Sequence, residues 1–158
     1  MSAARRPWLR AGVVLALVLA VDQLTKALVR RDIAVGEEDP ILPALKLVHV
    51  RNEGVAFGID VGGAALLIVV IALALTALLV YFARHATRPW MWLPTGLLVG
   101  GAVGNLIDRI HQGHVTDFLK FPKWPAFNVA DVAITVGVIA LLLVIELNDR
   151  RERAARPA

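Results

Sequence analysis

Two aspartates, Asp117 and Asp131, stand 14 residues apart beside two apolar segments. A loop between them lets the chain bring both carboxyl groups together. Such a pair can share one proton and hydrolyse a peptide bond, because the charged member activates water while the protonated member donates to the carbonyl oxygen. The pair could instead hold Mg²⁺ for phosphoryl transfer to or from a lipid, or carry protons or ions in a transporter. The residues alone leave all three chemistries open.

Each aspartate also has a purely structural interpretation. Asn128 is a favourable N-cap residue, and an acid three positions later suits the positive end of a helix, so Asp131 could act only as a capping residue. Asp117 could be a solvated loop acid. Capping is compatible with catalysis, so it leaves Asp131 as a candidate.

Several other catalytic classes are excluded or disfavoured by composition. The chain has no cysteine, which excludes thiol nucleophiles and Cys-ligated metals. Its single serine is Ser2, in the N-terminal segment, so a serine protease is excluded. His49, His111 and His114 are present, but no HExxH motif occurs, and zinc catalysis is therefore a weak interpretation.

Two further groups of polar residues lie near the ends of apolar segments. Asp22 and Lys26 are four residues apart, so on a helix they share a face and can form an ion pair. Asn105, Asp108 and Arg109 end a segment with glycine at every fourth residue, a spacing that lets another helix approach closely. A structural ion pair is the favoured interpretation of the first group. For the second group an orienting network around a site is favoured over an interface pair of Asp108 with Arg109.

The arrangement of apolar residues predicts a single all-α membrane domain, residues 1–158, with four spanning helices. Hydrophobic residues make up 58% of the chain, and they form four runs near the roughly 20 residues that cross a bilayer as helix. The predicted spans are residues 9–29, 62–83, 89–108 and 126–146. The last span has to include Asn128 and Asp131, because the uncharged stretch beyond Asp131 is too short. Ionisable residues inside spans are costly and usually functional.

Positive charge predicts the orientation, since cytoplasmic segments carry an excess of Lys and Arg. The N-terminal segment, the link between spans two and three and the C-terminal tail are all basic. Both termini are therefore expected in the cytoplasm, with loops 30–61 and 109–126 outside; Arg30 and Arg31 are exceptions to the bias. The basic start and apolar run could also be a cleaved signal peptide, but Asp22 and Lys26 occupy the place of its small-residue cleavage site.

The first outer loop is predicted to hold a small β-sheet. Residues Leu45–Arg51 have the composition of a strand, Asn52-Glu53-Gly54 is a turn signal, and Val55–Ile59 can return as a second strand. Because sheet edges cannot face lipid tails, the sheet should lie in the headgroup region. The second outer loop contains Pro122, Trp124 and Pro125, which suit an interfacial loop.

Five motifs make the chain resemble the lipoprotein signal peptidases, the signal peptidase II family. They occur in the family's order over residues 9–147: VDQLTK at 21–26, NEGVAFG at 52–58, GGAVGNLIDR at 100–109, VTDF at 115–118 and FNVAD at 127–131. Each motif alone is weak, but five in order on a four-span pattern are specific. The resemblance implies an intramembrane aspartic endopeptidase of the bacterial inner membrane.

The resemblance also assigns residues by position. Asp117 and Asp131 match the catalytic pair of the family, which lies near the outer, periplasmic face. Motif positions around the active site are matched by Asn52, Asn105, Asp108, Arg109, Asn128 and Ala130, and the first-span motif by Asp22 and Lys26. No metal or other cofactor is implied.

The implied substrates are lipid-modified prolipoproteins, cut just before the cysteine that carries diacylglycerol. Membrane lipids are the other expected partners; nucleic acid is not expected, and the enzyme is expected to be a monomer. The chain departs from the family in one respect, because the segment between Asp117 and Asp131 is a few residues short. This leaves the shape of the substrate entrance open.

Overall fold

A computed structural model of the chain describes residues 5–53 and 63–155. Within these ranges the chain forms helices and one small sheet. The helices are α1 (Arg5–Asp32), α2 (Gly63–His85), α3 (Trp92–Gln112) and α4 (Val129–Ala154), and the strands are β1 (Glu38–Leu42), β2 (Leu45–Asn52) and β3 (Val115–Lys120). The protein is therefore mostly helical, with a three-stranded sheet.

Three of the described helices, α1, α2 and α4, are long and apolar enough to cross a membrane. Helix α3 has 21 residues, but its glycines and polar side chains keep it outside that group. This composition does not forbid a crossing, because polar residues in a membrane are tolerated where they face other helices. The fourth span remains a prediction.

The helices extend beyond the predicted spans at most of their ends. Helix α1 begins four residues before the predicted span and ends three after it, and α4 continues to Ala154. A span is marked by hydropathy, whereas a helix continues until its hydrogen bonding stops, so the two boundaries differ. Helix α3 begins later than predicted, at Trp92. Trp90 has a φ of 66°, so the backbone just before the helix is not in the right-handed helical conformation.

Helix α3 packs between α1 and α4, and its glycines set the separation. A Cβ atom at Gly100 would lie 3.0 Å from the carbonyl oxygen of Leu15 in α1. A Cβ atom at Gly101 would lie 2.5 Å from the carbonyl oxygen of Ala130 in α4. The predicted close approach along the glycine spacing is therefore observed, with one helix on each side of α3.

The sheet has the strand order β1-β2-β3, and both pairs are antiparallel. Residue Asn52 is opposite Val115 at one end of the β2–β3 pair, and Lys46 is opposite Lys120 at the other. Because β3 follows directly after α3, the Asn52 end of the sheet lies at the ends of the helices. The sheet thus presents one end to α3 and α4.

The strand predicted at Leu45–Arg51 is confirmed as β2, but its neighbours were not foreseen. The strand predicted at Val55–Ile59 lies outside the described residues. The segment after α3, predicted as a plain loop, contains β3, whose pairing with β2 joins residues far apart in sequence. Strand β1 contains two acids and Pro40, which strand propensity disfavours; it forms at the sheet edge, where proline is tolerated.

Apolar side chains pack at both ends of the helices, and the sheet covers one of these clusters. Ala11, Phe82, Met91 and Val144 are buried together at the end away from the sheet. At the other end, Phe118 of β3 packs with Val29 and Ile33. This second contact fixes β3 against the end of α1, where the polar residues of the sequence motifs also lie.

Candidate active site

The first turn of α4 positions one of the two aspartates. Asn128 is the N-cap, and its side chain accepts a hydrogen bond from the backbone N–H of Asp131 at 2.9 Å. In return, the Asp131 carboxylate accepts the backbone N–H of Asn128 at 3.2 Å. The predicted capping interaction is thus confirmed as a reciprocal capping box. It also holds the Asp131 side chain in one orientation.

Strand β3 positions the other aspartate, and it does so in a buried place. The Asp117 side chain is 2% exposed, so the solvated loop acid considered from the sequence is wrong. Asn52 Nδ2 donates to its Oδ2 at 2.9 Å, and Asn128 Nδ2 donates to its Oδ1 at 2.7 Å. Sequence alone could not place Asp117 here, because its burial depends on pairing between β2 and β3.

Asn128 connects the two carboxylates. Its side-chain amide donates to Asp117, while its backbone N–H donates to Asp131. The orientation of the amide is fixed, because its oxygen must face the backbone N–H of Asp131, which can only donate. Asp117 and Asp131 therefore lie on either side of one residue, as two carboxylates sharing a site require.

Asn105 of α3 supplies the second hydrogen bond to Asp131. Its Nδ2 donates to Asp131 Oδ1 at 2.8 Å, and its Oδ1 accepts from Lys26 Nζ at 2.9 Å. A lysine ammonium has only donors, so the carbonyl of Asn105 has to face Lys26 and the amide N–H has to face Asp131. The expectation that Asn105 orients an acid is supported by this geometry.

Behind Asn105 lies a cluster of buried charges. The pair predicted between Asp22 and Lys26 is confirmed at 2.8 Å, and Lys26 also pairs with Asp108 at 3.1 Å. All three side chains are 0% exposed. Arg30 Nη1 approaches Asp108 at 3.7 Å, which accounts for one of the positive charges that departed from the orientation bias. The charges of the two buried acids are thus balanced by the buried Lys26 and the partly exposed Arg30, as buried charges require.

The cluster also ties separate elements together. Asp22 of α1 accepts the backbone N–H of Ala130 at 2.8 Å, so α1 caps the first turn of α4. Asp108 of α3 accepts the backbone N–H of Thr116 at 3.1 Å, which fixes β3. Gly104 leaves room for this arrangement, because a Cβ atom there would lie 2.6 Å from Asp22 Oδ2. Asp131 directly follows Ala130, and Asp117 directly follows Thr116. The cluster therefore fixes the backbone just before each candidate acid.

Arg109 lies beside the site without contacting either carboxylate through a described hydrogen bond. Its Nη1 donates to the backbone oxygen of Asn105 at 3.4 Å, and its buried Nε has no hydrogen-bond partner among residues 5–53 and 63–155. No ion pair with Asp108 occurs there either; that acid is occupied by Lys26 and Arg30. The expected orienting role of Arg109 therefore remains a prediction.

Burial raises the pKa of the Asp117 carboxyl to about 6. The hydrogen bonds from Asn52 and Asn128 and the charge of Lys26 act in the opposite direction, while the charge of Asp131 raises the pKa further. A carboxyl group with a pKa near 6 exchanges its proton close to neutral pH, which suits acid–base catalysis.

Two clefts reach the site from different sides. A cleft of about 350 Å³ beside β2 is lined by Asn52, Glu53 and Asp117 among others. A cleft of about 280 Å³ beside α4 is lined by Asp131 and by apolar side chains including Trp124 and Val132. Each aspartate is therefore accessible from one cleft, one more polar and one largely apolar.

Some residues of the site were not singled out as candidates from the sequence. Gln23 donates to the backbone oxygen of Gly104 at 3.1 Å and to Asp108 at 3.3 Å. Arg30 also donates to Thr116 Oγ1 at 3.2 Å. The spacing of Arg30, four residues after Lys26, was an available signal because it places both on one helix face.

Comparison with known proteins establishes the family. Residues 14–147 match the family described as Signal peptidase (SPase) II. The chain belongs to the signal peptidase II family. This family of aspartic peptidases removes signal peptides from prolipoproteins. The resemblance drawn from the five motifs is thereby confirmed.

Similar relatives cover nearly the whole chain. The lipoprotein signal peptidase of Halothermothrix orenii is 40% identical over 84% of this chain and 92% of the relative. The lipoprotein signal peptidase of Paraburkholderia phymatum is 42% identical over 95% of this chain and 92% of the relative. The lipoprotein signal peptidase of Symbiobacterium thermophilum is 43% identical over 90% of this chain and 99% of the relative.

Two solved structures have the same fold as this chain, and both are described as bacterial membrane enzymes. One has a TM-score of 0.83 at 30% identity, covering 94% of this chain and 93% of its own. The other has a TM-score of 0.79 at 30% identity, covering 85% and 91%. The arrangement of helices and sheet is therefore that of a bacterial membrane enzyme.

Proposed function

We propose that Asp117 and Asp131 are the catalytic dyad of this peptidase and that it cuts prolipoproteins just before the diacylglyceryl-modified cysteine. The observation that carries the proposal is the position of Asn128, which donates a hydrogen bond to each carboxylate. Neither acid is paired with a cation at 4 Å or less among the described residues, whereas Asp22 and Asp108 are both neutralised in that way. Charge balance therefore separates the reacting acids from the structural ones.

The reaction needs one proton on the dyad and one water molecule. The ionised aspartate removes a proton from water as the water oxygen attacks the scissile carbonyl carbon, and the protonated aspartate donates to the carbonyl oxygen. The tetrahedral intermediate collapses when the carbonyl re-forms and the C–N bond breaks, with a proton passing to the leaving amine. The two acids share this proton, so it is assigned to the pair and not to either residue. No metal or other cofactor takes part.

The polar network keeps the dyad in place during these steps. Asn52, Asn105 and Asn128 each donate to a catalytic carboxylate. Asn105 is in turn oriented by Lys26, and Ala130 is held by Asp22. Arg109 contributes a hydrogen bond from Nη1 to the backbone oxygen of Asn105 at 3.4 Å. These groups position the acids and leave proton transfer to Asp117 and Asp131.

The substrate reaches the dyad from the bilayer. The cleft that ends at Asp131 is bordered by Val132 and Val136, whose side chains are 43% and 48% exposed. An apolar signal peptide and the lipid on its cysteine can stay in hydrocarbon while the cut site enters this cleft. Water reaches Asp117 through the cleft lined by Asn52 and Glu53.

All four helices cross the inner membrane, and the dyad lies near its outer face. Basic residues at the other end support this orientation, since cytoplasmic segments are enriched in Arg and Lys. Helix α3 can cross despite its lower hydropathy because its polar residues Asn105 and Asp108 are buried against protein. The enzyme acts as a monomer on its lipid-modified substrates.

Cleavage of a purified, lipid-modified prolipoprotein tests the dyad. Asp117→Asn and Asp131→Asn should each lower the cleavage rate at least about 100-fold, because each removes one member of the acid–base pair. Asp39→Asn, which changes an exposed acid of β1 in the same way, should leave the rate unchanged. The measurement is the rate of signal-peptide release at saturating substrate.

Retained cleavage by either dyad variant would overturn the assignment. Full activity in excess EDTA should accompany the result, because the dyad activates water without a metal. Ion or proton flux in liposomes without any cleavage product would instead support the transporter interpretation left open by the sequence.

A further inference from the structure

The end of the sheet away from the aspartates carries a third cleft, which is positively charged. It has a volume of about 270 Å³ and lies between the β1–β2 turn and the loop after β3. Apolar side chains, including Pro43 and Phe121, line it together with Lys46, Lys120 and Lys123. These are all the lysines of the chain except Lys26, so the cleft gathers a residue type that is otherwise rare here.

The three lysines have one carboxylate partner between them in the described chain. Glu38 pairs with Lys46 at 2.7 Å and with Lys120 at 2.5 Å, linking all three strands. Lys123 makes no ion pair with residues 5–53 or 63–155. The cleft therefore keeps a net positive charge, and an anionic ligand suits it.

Large apolar side chains are exposed on β1 near this cleft and on the loop after β3, which runs from the cleft towards Asp131. Ile41 and Leu42 in β1 are 53% and 62% exposed, and Phe121 and Trp124 are 43% and 60% exposed. A combination of lysine with exposed aromatic and aliphatic side chains is typical of the membrane interface, where the apolar groups enter the lipid and the ammonium groups meet phosphates.

The loop after β3 also lies beside a membrane-spanning helix. Trp124 shares a cleft with Val132 and Val136, which occupy the first two turns of α4. Phe121 stacks on Phe127 with a centroid distance of 5.8 Å, so the loop is folded back towards the start of that helix. Since Val132 and Val136 face outward, the loop is at the depth where α4 leaves the lipid.

We propose that the cleft containing Lys46, Lys120 and Lys123 binds the phosphate headgroup of an anionic phospholipid in the outer leaflet. Phe121 and Trp124 lie at the boundary with its acyl chains. Bound lipid holds the sheet against the bilayer, and because β3 carries Asp117, it fixes the depth of the dyad. The inference rests on the proposed orientation of the helices and not on the catalytic role of the aspartates.

Fluorescence of Trp124 in vesicles tests the site without requiring activity. Trp8, Trp90 and Trp92 are replaced by Phe, and the remaining Trp124 is measured in phosphatidylcholine vesicles. An equal mole fraction of brominated phosphatidylcholine or brominated phosphatidylglycerol is then included as quencher. Brominated phosphatidylglycerol should associate about threefold more strongly, because each lysine near the surface favours an anionic lipid.

Matched variants assign the preference to the cleft. Lys123→Gln and Lys46→Gln should each lower the ratio of phosphatidylglycerol to phosphatidylcholine association towards one. In the Lys46→Gln variant, Lys120 still pairs with Glu38. Arg151→Gln removes one positive charge at the opposite end of α4 and should leave the preference unchanged. High salt should reduce it by screening.

Three outcomes would overturn the proposal. Equal quenching by the two brominated lipids would mean that Trp124 contacts lipid but that the cleft does not recognise the anionic headgroup. No quenching by either would place Trp124 away from the bilayer. Loss of the preference on adding inorganic phosphate at constant ionic strength would assign the cleft to a soluble anion. Cleavage activity of each variant, measured separately in detergent, reports on folding and on the dyad.

Discussion

At the scale of single residues, this site differs from its surroundings by how charge is balanced. Lys26, Asp22 and Asp108 form a buried cluster in which every charge has a partner. The carboxylates of Asp117 and Asp131 instead accept hydrogen bonds from asparagine amides and backbone. An amide stabilises a carboxylate without neutralising its charge, and burial raises the pKa of Asp117 to about 6. In the proposed dyad, asparagine thus orients the acids without the ion pairs that Asp22 and Asp108 make.

Asn52→Ala should change the pH dependence of cleavage. Burial raises the pKa of Asp117 to about 6, and the hydrogen bond from Asn52 favours the charged form and holds the pKa down. Removing that bond should raise the pKa, so the inflection of kcat/KM nearest pH 6 should move up by about one unit. The alkaline limb moves if Asp117 holds the shared proton, and the acidic limb moves if it is the base.

The pH profile of Gln112→Ala is the control for Asn52→Ala. The Gln112→Ala substitution removes a side-chain amide at the end of α3 that makes no described hydrogen bond to the proposed dyad. The charged groups near Asp117, which are Lys26, Asp131 and Arg109, remain in both variants. A profile that stays in place for an active Asn52→Ala enzyme would contradict the assigned pKa effect.

At the scale of elements, the site depends on how closely three helices approach one another. Asn105 lies on α3 and donates to Asp131 on α4, while its carbonyl accepts from Lys26 on α1. The glycines of α3 permit this three-way contact because they leave only backbone at the crossing points. A helix position far from any chemistry can therefore control whether the asparagine reaches the acid.

Gly101→Ala should impair the enzyme through helix separation. The new Cβ would lie 2.5 Å from the carbonyl oxygen of Ala130, and backbone cannot move aside as a flexible side chain can. Forced overpacking of this kind costs about 1–3 kcal/mol. The expected results are a lower midpoint of thermal unfolding in detergent and a fall in kcat, because α4 carries Asp131 away from Asn105.

Gly12→Ala is the matched change on α1. Nothing lies within 4 Å of a Cβ built at Gly12, and alanine favours a helix over glycine, so this variant should be as stable as wild type or slightly more so. Equal stability and activity of both variants would show that the α3–α4 distance is not critical to the site.

At the scale of the whole molecule, the two ends of the helices serve different purposes. One end carries the sheet, the proposed dyad and the buried charges. The other end carries an apolar cluster around Phe82 and Met91 and basic residues such as Arg88, which pairs with Asp149 at 3.2 Å. The basic end suits the cytoplasm by charge bias, so the reactive end should face outward.

Labelling of single cysteines tests this orientation directly, because the natural chain has none. Asp39→Cys places a thiol on the exposed edge strand β1, and Arg151→Cys places one at the exposed end of α4. A membrane-impermeant maleimide should label the first in intact spheroplasts and the second only after lysis. The reverse pattern would invert the proposed topology, and labelling of both in intact spheroplasts would place the two sites on the same side.

The sequence by itself determined the features that depend on local pattern. Runs of apolar residues predicted the positions of the helices, the Asn128 to Asp131 spacing predicted the cap, and the Asp22 to Lys26 spacing predicted the ion pair. Each of these rests on interactions between residues a few positions apart. The five motifs predicted the family, and the comparisons confirm it.

Only the tertiary structure decided what the polar residues have in common. Strand β3 forms by pairing with a strand more than 60 residues away in the chain, and that pairing buries Asp117 beside Asn52 and Asn128. The contacts of Lys26 with Asn105 and of Asp22 with Ala130 likewise join different helices. Local pattern carries no information on such contacts, because they exist only after the helices have packed; the distinction between ion-paired acids and acids held by asparagine is therefore a property of the fold.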